Sequence, residues 1–386
     1  MKKTLATCLM LLALAACTND DKYEWESDFA DLNIAIAYNT DNSVSVSGDD
    51  NGYVSTDGTN VVVRSNANRF MQLTLSGEAT NGSLLVYSWK KYGIRLNGLT
   101  LTNANGPAIN NQCGKALIIT TVDGTTNTLT DGLTYTEKTN DKGESIDQKG
   151  VLFSEGQVYL RGNGTLNING KAKNGLATDD YIVMEGGTVN INVAETGSNG
   201  VKANDGVTIS GGTLNITVNA KGARGIKNEA KMTVSGGETT ITTEGDCLIE
   251  TLTAEDGTVY NDTTSAAGIK NDSLFAMTDG TMTITSKGDG GKGINCSQNI
   301  EVSGGTLKVT TKGTSNDSKP KAVKSDTGII LSGGSFTADT KKSWACDNGY
   351  EGAAGETEDQ IAKKRVTIIG TTTKTELEKK HVFVKF

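Results

Sequence analysis

A glycine repeat with a period of 25 residues constrains this chain more than any other feature. Gly175, Gly200 and Gly225 lie 25 residues apart, and each begins a similar five-residue phrase. A Gly-Gly pair follows at a fixed offset in most copies of the repeat. Further copies begin at Gly150, Gly268, Gly293 and Ala322. Repeats of this length are typical of solenoids, in which each repeat packs only on its neighbours.

Each repeat divides into three short strands. In the copy that begins at Gly200, residues 201–203, 207–210 and 214–218 are rich in β-branched and apolar residues, and a Gly-Gly turn separates the last two segments. Apolar and polar residues alternate within these segments, which places the apolar residues on one face. The pattern predicts an all-β fold, a right-handed, single-stranded parallel β-helix with three strands and about 25 residues per turn.

Stacked turns place equivalent residues above one another at a spacing of about 4.8 Å, so that side chains form columns. We count positions from the first glycine of each repeat and expect positions +1 and +3 to point into the core. The +1 column is Val151, Leu176, Val201, Ile226, Ile269, Ile294 and Val323. The +3 column is Phe153, Thr178, Ala203, Asn228, Asn271, Cys296 and Ser325, with Cys346 one turn further on. Asn228 above Asn271 predicts an amide ladder. Cys296 and Cys346 would lie two turns apart, too far for a disulfide, so buried free thiols are predicted.

Positions +2 and +4 are expected to point outward and to form a polar surface, which we call the glycan face. Its lysines are Lys202, Lys227, Lys270 and Lys324. Its acidic and amide residues are Asp179, Asn204, Glu229, Asp272 and Asp326, with Asp347 on the last partial turn. Two interpretations stay open. The surface is a solvated charge ladder, in which each lysine is offset by the acid two residues on, or it binds an extended polysaccharide whose uronate carboxylates contact the lysines.

The first residues have the pattern of an export signal. Lys2 and Lys3 precede an apolar stretch that is too short to span a membrane, and residues 14–17 read Leu-Ala-Ala-Cys. This motif resembles the lipobox of bacterial lipoproteins. It implies a signal peptide over 1–16, lipid attachment at Cys17 and a tether over 17–23. The acidic residues behind Cys17 resemble a surface-export signal, so we expect an outer-membrane lipoprotein exposed at the cell surface.

The rest of the chain is expected to form one β-helix with a cap at each end. Residues 24–58 are predicted as the N-terminal cap and 351–386 as the C-terminal cap. Residues 59–350 are predicted as the parallel β-helix, with insertions near 133–149 and 244–267. A short α-helix is expected over 356–365. Ca²⁺ binding near Asp246, Glu250 and Asp256 is an open alternative, because calcium prefers several oxygen ligands, although no known calcium motif is present.

Several phrases occur in an order that resembles one bacterial family. They are Gly106-Pro-Ala-Ile109, residues 124–132, Gly162-Asn-Gly-Thr-Leu166 and the later Gly-Ile-Lys and Ser-Gly-Gly-Thr turns. The family is one of carbohydrate-binding parallel β-helix proteins, long a domain of unknown function, with a pectate-lyase-like fold. The resemblance implies binding of plant-type or acidic polysaccharides, with structural calcium as an option and no established catalysis. The family often has Asp before the glycine of each turn. Here those residues are Asn174, Asn199, Arg224, Ala267 and Lys292, which puts calcium binding in doubt.

The sequence leaves three functions open. The first is non-catalytic binding of an extended polysaccharide, the second is a calcium-assisted uronate lyase with Lys202, Lys227 or Lys270 as the base, and the third is a structural adhesin. The formal net charge of −8 argues against nucleic acid as a partner. The single histidine, His381, argues against hydrolysis that depends on histidine.

Overall fold

The computed structural model describes residues 32–315 and 319–386. The predicted signal peptide over 1–16, the lipid attachment at Cys17, the tether over 17–23 and the first residues of the N-terminal cap lie outside the described residues. Nearly all regular structure in the described part is β-strand, and one short α-helix lies near the carboxyl end.

The strands run in chain order through a series of stacked turns. The first ten are β1 Leu32–Tyr38, β2 Val44–Ser47, β3 Val54–Asp57, β4 Asn60–Ser65, β5 Met71–Ala79, β6 Ser83–Ser88, β7 Tyr92–Thr102, β8 Ile109–Asn111, β9 Leu117–Thr121 and β10 Thr126–Thr130. The next eleven are β11 Gly150–Ser154, β12 Val158–Gly162, β13 Thr165–Gly170, β14 Asn174–Thr178, β15 Tyr181–Met184, β16 Thr188–Val193, β17 Val201–Ala203, β18 Gly206–Ile209, β19 Thr213–Val218, β20 Arg224–Asn228 and β21 Met232–Thr243. The last elements are β22 Leu248–Thr253, β23 Val259–Thr264, β24 Ala267–Asn271, β25 Phe275–Ser286, β26 Lys292–Cys296, β27 Ile300–Thr311, β28 Val323–Ser325, β29 Ile329–Thr340, β30 Cys346–Asp347, α1 Glu358–Lys364, β31 Thr367–Ile368, β32 Lys374–Leu377 and β33 His381–Lys385.

The strands assemble into two large sheets that wind around one core. We call the 12-stranded sheet, in the order β3-β4-β6-β8-β11-β14-β17-β20-β24-β26-β28-β30, sheet 1. A 19-stranded sheet, sheet 2, contains the other strands except β22 and β23. Sheet 2 forms two walls, because long strands such as β27 and β29 run through a Gly-Gly bend where their register shifts. The result is a parallel β-solenoid of about 11 turns with about 25 residues per turn, which confirms the predicted fold class.

The two kinds of repeated glycine are required for different reasons. The second glycine of each pair adopts a left-handed conformation, with φ of +76° at both Gly187 and Gly212, which favours glycine because it has no Cβ. The glycine that begins each repeat lies against the next turn. A Cβ on Gly200 would lie 2.6 Å from the carbonyl oxygen of Gly225 and closer still to Cγ2 of Ile216. The first glycine of each repeat is therefore required by close packing against both the next turn and the core of its own turn.

The core is one continuous column of apolar side chains with polar ladders inside it. All seven residues predicted at position +1 are at most 3% exposed. The predicted amide ladder is present, because Nδ2 of Asn228 donates to Oδ1 of Asn271 at 2.6 Å and both residues are fully buried. Asn271 continues the ladder to the thiol of Cys296. Cys296 and Cys346 are buried and form no disulfide, as predicted.

The predicted column positions are wrong at two turns, by one position at the turn that begins with Gly150 and by two positions at the last turn. Gly150 pairs with Asn174, so Leu152 lies next to Leu176 and Phe153 next to Ala177. Phe153 therefore occupies position +2, where it is fully buried, with Nζ of Lys149 5.4 Å from its ring. Ser154 takes the inward +3 position instead. The sequence pattern did not reveal this shift in register, because the adjacent residues Leu152 and Phe153 are both apolar and interrupt the alternation of apolar and polar residues.

The last turn shows a similar difference. Cys346 pairs with Val323 in the +1 column, and Asp347 pairs with Lys324 in the +2 column. Asp347 is buried and forms ion pairs with Arg365 and Lys321, so it does not belong to the outward +4 column. The C-terminal segment covers this turn, which is why an acidic side chain is buried there.

Short antiparallel segments lie at both ends of the solenoid. At the amino end, β1 extends sheet 2 in parallel with β5, and β2 pairs with β1 in antiparallel. At the carboxyl end, β33 pairs in antiparallel with β29. The helix α1 lies inside the range predicted from sequence, and a capping box at Thr357 and Gln360 fixes its start.

The two departures from the repeat have different structures. Residues 133–149 form an irregular segment against the outer face of sheet 1, where Nδ2 of Asn110 donates to the carbonyl of Asp147 at 3.1 Å. The second departure contains the antiparallel hairpin β22–β23, whose first strand is exposed throughout. The first departure therefore shapes the surface on which the glycan face was predicted.

Candidate functional site

The structure brings the predicted lysines together on the outer face of sheet 1. Lys202 pairs with Lys227, and Lys227 pairs with Lys270, on successive strands. Asn295 separates Lys270 from Lys324. Each of these side chains is partly exposed, while the neighbouring +1 and +3 residues are buried. Parallel pairing in register therefore converts the 25-residue repeat into a row of lysines on strands that lie about 4.8 Å apart, interrupted once by Asn295.

Most of these lysines are paired with the acid two residues further on, which lies just after the end of the same strand. The pairs are Lys227–Glu229, at 3.6 Å, Lys270–Asp272 and Lys324–Asp326. This is the arrangement that the charge-ladder interpretation predicts. Lys202 differs, because Asn204 takes the place of the acid and no carboxylate of the described residues lies within 4 Å of its amine. Partly exposed ion pairs of this kind contribute about 0–1 kcal/mol, so a ligand carboxylate is able to replace the partner acid at little cost.

Asp179 lies in an acidic cluster at the amino end of the lysine row. Carboxylate oxygens of Asp147, Glu155 and Asp179 lie within 4.8 Å of one another. Nζ of Lys149 lies 2.6 Å from Asp147 and 2.5 Å from Asp179 and neutralises part of this charge. Burial, with the nearby Asp179 and Asp147, raises the pKa of Glu155. Asn204 donates to Asp179 at 3.3 Å and links the cluster to the lysine row.

The acidic cluster contains the described residues best placed to hold a cation, since carboxylate oxygens suit Ca²⁺. It is not the set predicted from sequence. The carboxylates of Asp246, Glu250 and Asp256 do not form a group within 4.8 Å, because Glu250 lies on the β22–β23 hairpin, opposite Asp262, and Asp256 lies at its turn. Calcium binding by this chain stays a prediction.

A second group of cations lies beside the lysine row, at the position before the glycine of each turn. Arg224 and Lys292 are both in register with Ala267, on the turns to either side of it. Nζ of Lys292 donates to the hydroxyl of Ser265 at 2.6 Å. In the described part of the chain, neither cation has a carboxylate within 4 Å, and Nε of Arg224 is buried without a hydrogen-bond partner.

The environment of Lys292 is strongly positive. Burial, with the charges of Lys324, Arg224 and Lys270, lowers the pKa of its amine. Burial also lowers the pKa of Arg224. We call Arg224, Lys270, Lys292 and Lys324 the cation cluster. Its four positive charges are accompanied by two carboxylates, those paired with Lys270 and Lys324. The excess positive charge, partly removed from water, favours a bound anion.

Sequence reasoning found the lysine row but not the cation cluster as a unit. In the sequence, Arg224 and Lys292 stand out only as departures from a family pattern, although they occupy one column. Reading the position before each glycine as a further column would have brought them together. The acidic cluster was not accessible in this way, because Asp147 belongs to an insertion without a repeat.

The comparisons with known proteins identify a family and a shared fold. A family model described as carbohydrate-binding domain-containing protein matches residues 57–318 and 217–377, which together span most of the solenoid. The chain belongs to this family. The resemblance drawn from the sequence is confirmed at the level of a carbohydrate-binding family with a solenoid fold.

Two relatives are informative. A carbohydrate-binding domain-containing protein of Acetivibrio thermocellus is 27% identical over 122 residues, which cover 31% of this chain and 41% of that protein. The match therefore spans less than half of that relative. A solved structure of the polysaccharide lyase-like protein from C. thermocellum, a gadolinium derivative, superposes with a TM-score of 0.54 at 23% identity. The superposition covers 68% of this chain and 94% of that one, and it shows a shared fold.

Within residues 32–315 and 319–386, the structure contains no helix with the length and apolar character needed to cross a membrane.

Proposed function

We propose that this chain binds an extended acidic polysaccharide along the outer face of sheet 1 and performs no chemistry on it. Membership in a carbohydrate-binding family supports a polysaccharide as the partner. The observation that carries the acidic character of the ligand is the cation cluster, in which two of four cations lack a carboxylate partner. The regular spacing of the turns suits a polymer with a repeating unit.

The cation cluster supplies what a uronate carboxylate needs. Arg224 offers guanidinium donors, one of which is buried and unpaired, and guanidinium matches the planar shape of a carboxylate. Lys292 adds an amine whose neighbouring cations disfavour its own charge, so that a bound anion relieves repulsion. A ligand carboxylate near these two residues therefore gains charge-assisted hydrogen bonds without breaking an existing ion pair of either.

Binding to polygalacturonate, measured by affinity electrophoresis, tests this proposal. We expect the double variant Arg224→Gln/Lys292→Gln to bind about tenfold more weakly, a loss of about 1.4 kcal/mol. Wild-type binding should weaken as salt is raised from about 0.05 M to about 0.5 M, since salt screens the contacts.

A control with the same change in charge separates local contacts from net charge. Lys308 and Lys312 are exposed residues that lie on β27 and directly after it, in sheet 2, and the double variant Lys308→Gln/Lys312→Gln should bind like wild type. Equal weakening in both double variants would show that net charge alone governs binding and would refute a site at the cation cluster.

A uronate lyase is the second candidate function, and Lys292 is the observation that favours it. A lysine with a lowered pKa is better suited to accept a proton from the carbon next to a carboxylate than an ordinary surface lysine. Ultraviolet absorbance of the unsaturated product would reveal such an activity. Loss of that absorbance in Lys292→Gln, with retained binding, would establish the lyase in place of simple binding.

We also propose that the protein acts at the cell surface as a lipoprotein anchored through Cys17. The support is the lipobox-like Leu-Ala-Ala-Cys sequence and the acidic residues that follow it. A tether of this kind would hold the solenoid at the outer membrane, where extended polysaccharides are accessible. Metabolic labelling with a fatty acid should label the wild-type protein and not Cys17→Ser, and protease treatment of whole cells should degrade the labelled chain.

A further inference from the structure

A groove with aromatic walls lies on the outer face of sheet 1, at the opposite end from the cation cluster. It has a volume of about 490 Å³ and lies between the amino-terminal turns and the insertion over 133–149. We call it the aromatic groove. Its lining includes Arg64, Tyr87, Trp89, Asn140, Asp141 and Lys142.

Trp89 is the most unusual residue of the aromatic groove. Its side chain is 73% exposed, the largest exposure of any large apolar residue in the described part of the chain. Its backbone is fixed, because the amide of Trp89 donates to the carbonyl of Ser65 at 3.1 Å. Leaving an indole in water forgoes the stabilisation that its burial would provide, so an exposed tryptophan that lines a groove together with Tyr53 and Tyr87 indicates a binding surface.

The floor of the groove is already organised. Arg64 forms two hydrogen bonds to Asp141, from Nη2 at 2.9 Å and from Nε at 3.2 Å. The same guanidinium lies 5.2 Å from the centre of the Tyr87 ring. These contacts link the insertion to sheet 1 across the groove. A preformed groove loses less entropy when a ligand binds than a flexible one.

The aromatic groove and the glycan face lie along one surface. Arg64 and Tyr87 are neighbours in register on β4 and β6, and later turns continue the same outward position to Asp179, Asn204 and Glu229. Seven turns separate Trp89 from the turn that carries Lys292, a distance of about 34 Å at about 4.8 Å per turn. Only an extended ligand is able to contact both ends.

We propose that the aromatic groove binds one pyranose ring of the polysaccharide, stacked on the indole of Trp89. This inference rests on the proposed function, since it adds a second contact point for the same polymer. A pyranose with equatorial hydroxyls presents C–H groups on its faces and hydroxyls around its edge. The C–H face matches the apolar indole, and the hydroxyls meet the polar side chains of Arg64, Asn140 and Lys142 at the groove walls.

Retention on two polymers tests the groove separately from the cation cluster. Hydroxyethyl cellulose is neutral and its rings have equatorial hydroxyls, so it tests the groove alone. Polygalacturonate carries carboxylates and its rings are joined through axial positions at C1 and C4, so it tests the cation cluster. We expect Trp89→Ala to bind hydroxyethyl cellulose about tenfold more weakly, as is common when a tryptophan at the centre of an interface is truncated. Trp89→Phe should retain most of the affinity, because it keeps an aromatic face. Ile369→Ala, which removes an exposed apolar side chain at the far end, should bind like wild type.

Tryptophan fluorescence gives a second and direct measurement. Acrylamide should quench Trp89 efficiently in the free protein, and hydroxyethyl cellulose should protect the wild-type protein from quenching while leaving Trp89→Phe unchanged. Unchanged retention of Trp89→Ala together with no protection would overturn the inference. A loss of self-association in Trp89→Ala, without any effect on either polymer, would overturn it too, because the groove would then hold a second copy of the chain.

The two proposals fail in different ways. Retention on hydroxyethyl cellulose that does not depend on Trp89, together with retention on polygalacturonate that depends on Arg224 and Lys292, would refute the groove and keep the proposed function. Retention on hydroxyethyl cellulose that depends on Trp89, with no effect of the cation cluster on polygalacturonate, would refute acidic recognition and keep the groove. Wild-type protein that is retained on neither polymer would refute both.

Discussion

Replacing the first glycine of a single repeat should destabilise the whole stack of turns around it. In Gly200→Ala the new methyl carbon would lie 2.6 Å from the carbonyl oxygen of Gly225 on the next turn and closer still to Cγ2 of Ile216 in the core of its own turn, whereas ordinary contact begins at 3.4 Å. The two turns must therefore separate by about 0.8 Å at this point, or the chain must bend. The Gly200 amide donates to the carbonyl of Arg224 at 2.9 Å, so separation also lengthens a hydrogen bond between turns.

These two effects determine the expected magnitude. Overpacking of a filled interior costs about 1–3 kcal/mol, and a weakened hydrogen bond costs about 1 kcal/mol more. Alanine has fewer accessible conformations than glycine in the unfolded chain, which offsets about 0.4–1 kcal/mol of this destabilisation. We expect Gly200→Ala to lower the free energy of unfolding by about 2–3 kcal/mol, which moves the urea midpoint by about 0.7–1 M for a slope of about 3 kcal/mol per M.

Gly114→Ala is a matched control for this experiment. Gly114 is exposed and does not adopt a positive φ, and a Cβ added to it would meet no other atom within 4 Å. Its substitution should be neutral or slightly stabilising. Unfolding in urea, followed by far-ultraviolet circular dichroism, compares the two variants with wild type. Midpoints for Gly200→Ala and Gly114→Ala that agree within about 0.2 M would refute the argument that close packing requires the first glycine of the repeat.

Two further predictions concern the inner ladder and the carboxyl end. Asn228→Ala should cost about 1–3 kcal/mol, because it leaves the buried Oδ1 of Asn271 without its donor, and urea unfolding would detect the loss. His381 hydrogen-bonds to Asp339 at 2.6 Å and to Glu376 at 3.1 Å, which raises its pKa above the ordinary 6.5. A raised pKa stabilises the folded state below about pH 6.5, and the contribution is lost as pH rises through the folded value. The melting temperature of wild type should therefore exceed that of His381→Gln by more at about pH 6 than at about pH 9, and an equal difference at both would contradict this assignment.

The sequence predicted the inner columns well where the glycine repeat was regular. Val201, Ile226 and Ile269 occupy the expected core column because the strands pair in register. The prediction failed at Phe153, where an insertion enters directly before the strand and shifts the pairing by one residue. The polar core ladder supports the observed register, since Asn111 donates to the hydroxyl of Ser154 at 2.8 Å.

The candidate site was predictable only in part. The lysine row follows from the period, because residues 25 apart must stack when each turn contains 25 residues. The role of Lys292 does not follow from the period, since it depends on three neighbouring cations and on burial. The aromatic groove depends on an insertion without a repeat, because Asp141 reaches Arg64 from 77 positions further along the chain.

The sequence by itself determined the architecture of this protein, because a parallel β-solenoid is a local structure in which every turn repeats the same contacts. Spacing, alternation and glycine placement are therefore enough to specify the turns, the core and the outward columns. The tertiary structure alone decided which charges are neutralised and which surfaces are covered. Those properties depend on where the insertions and the C-terminal segment fold back onto the stack, and no periodic pattern encodes such contacts. The 25-residue glycine repeat thus specifies the scaffold, and the departures from it shape the surface that we propose for binding.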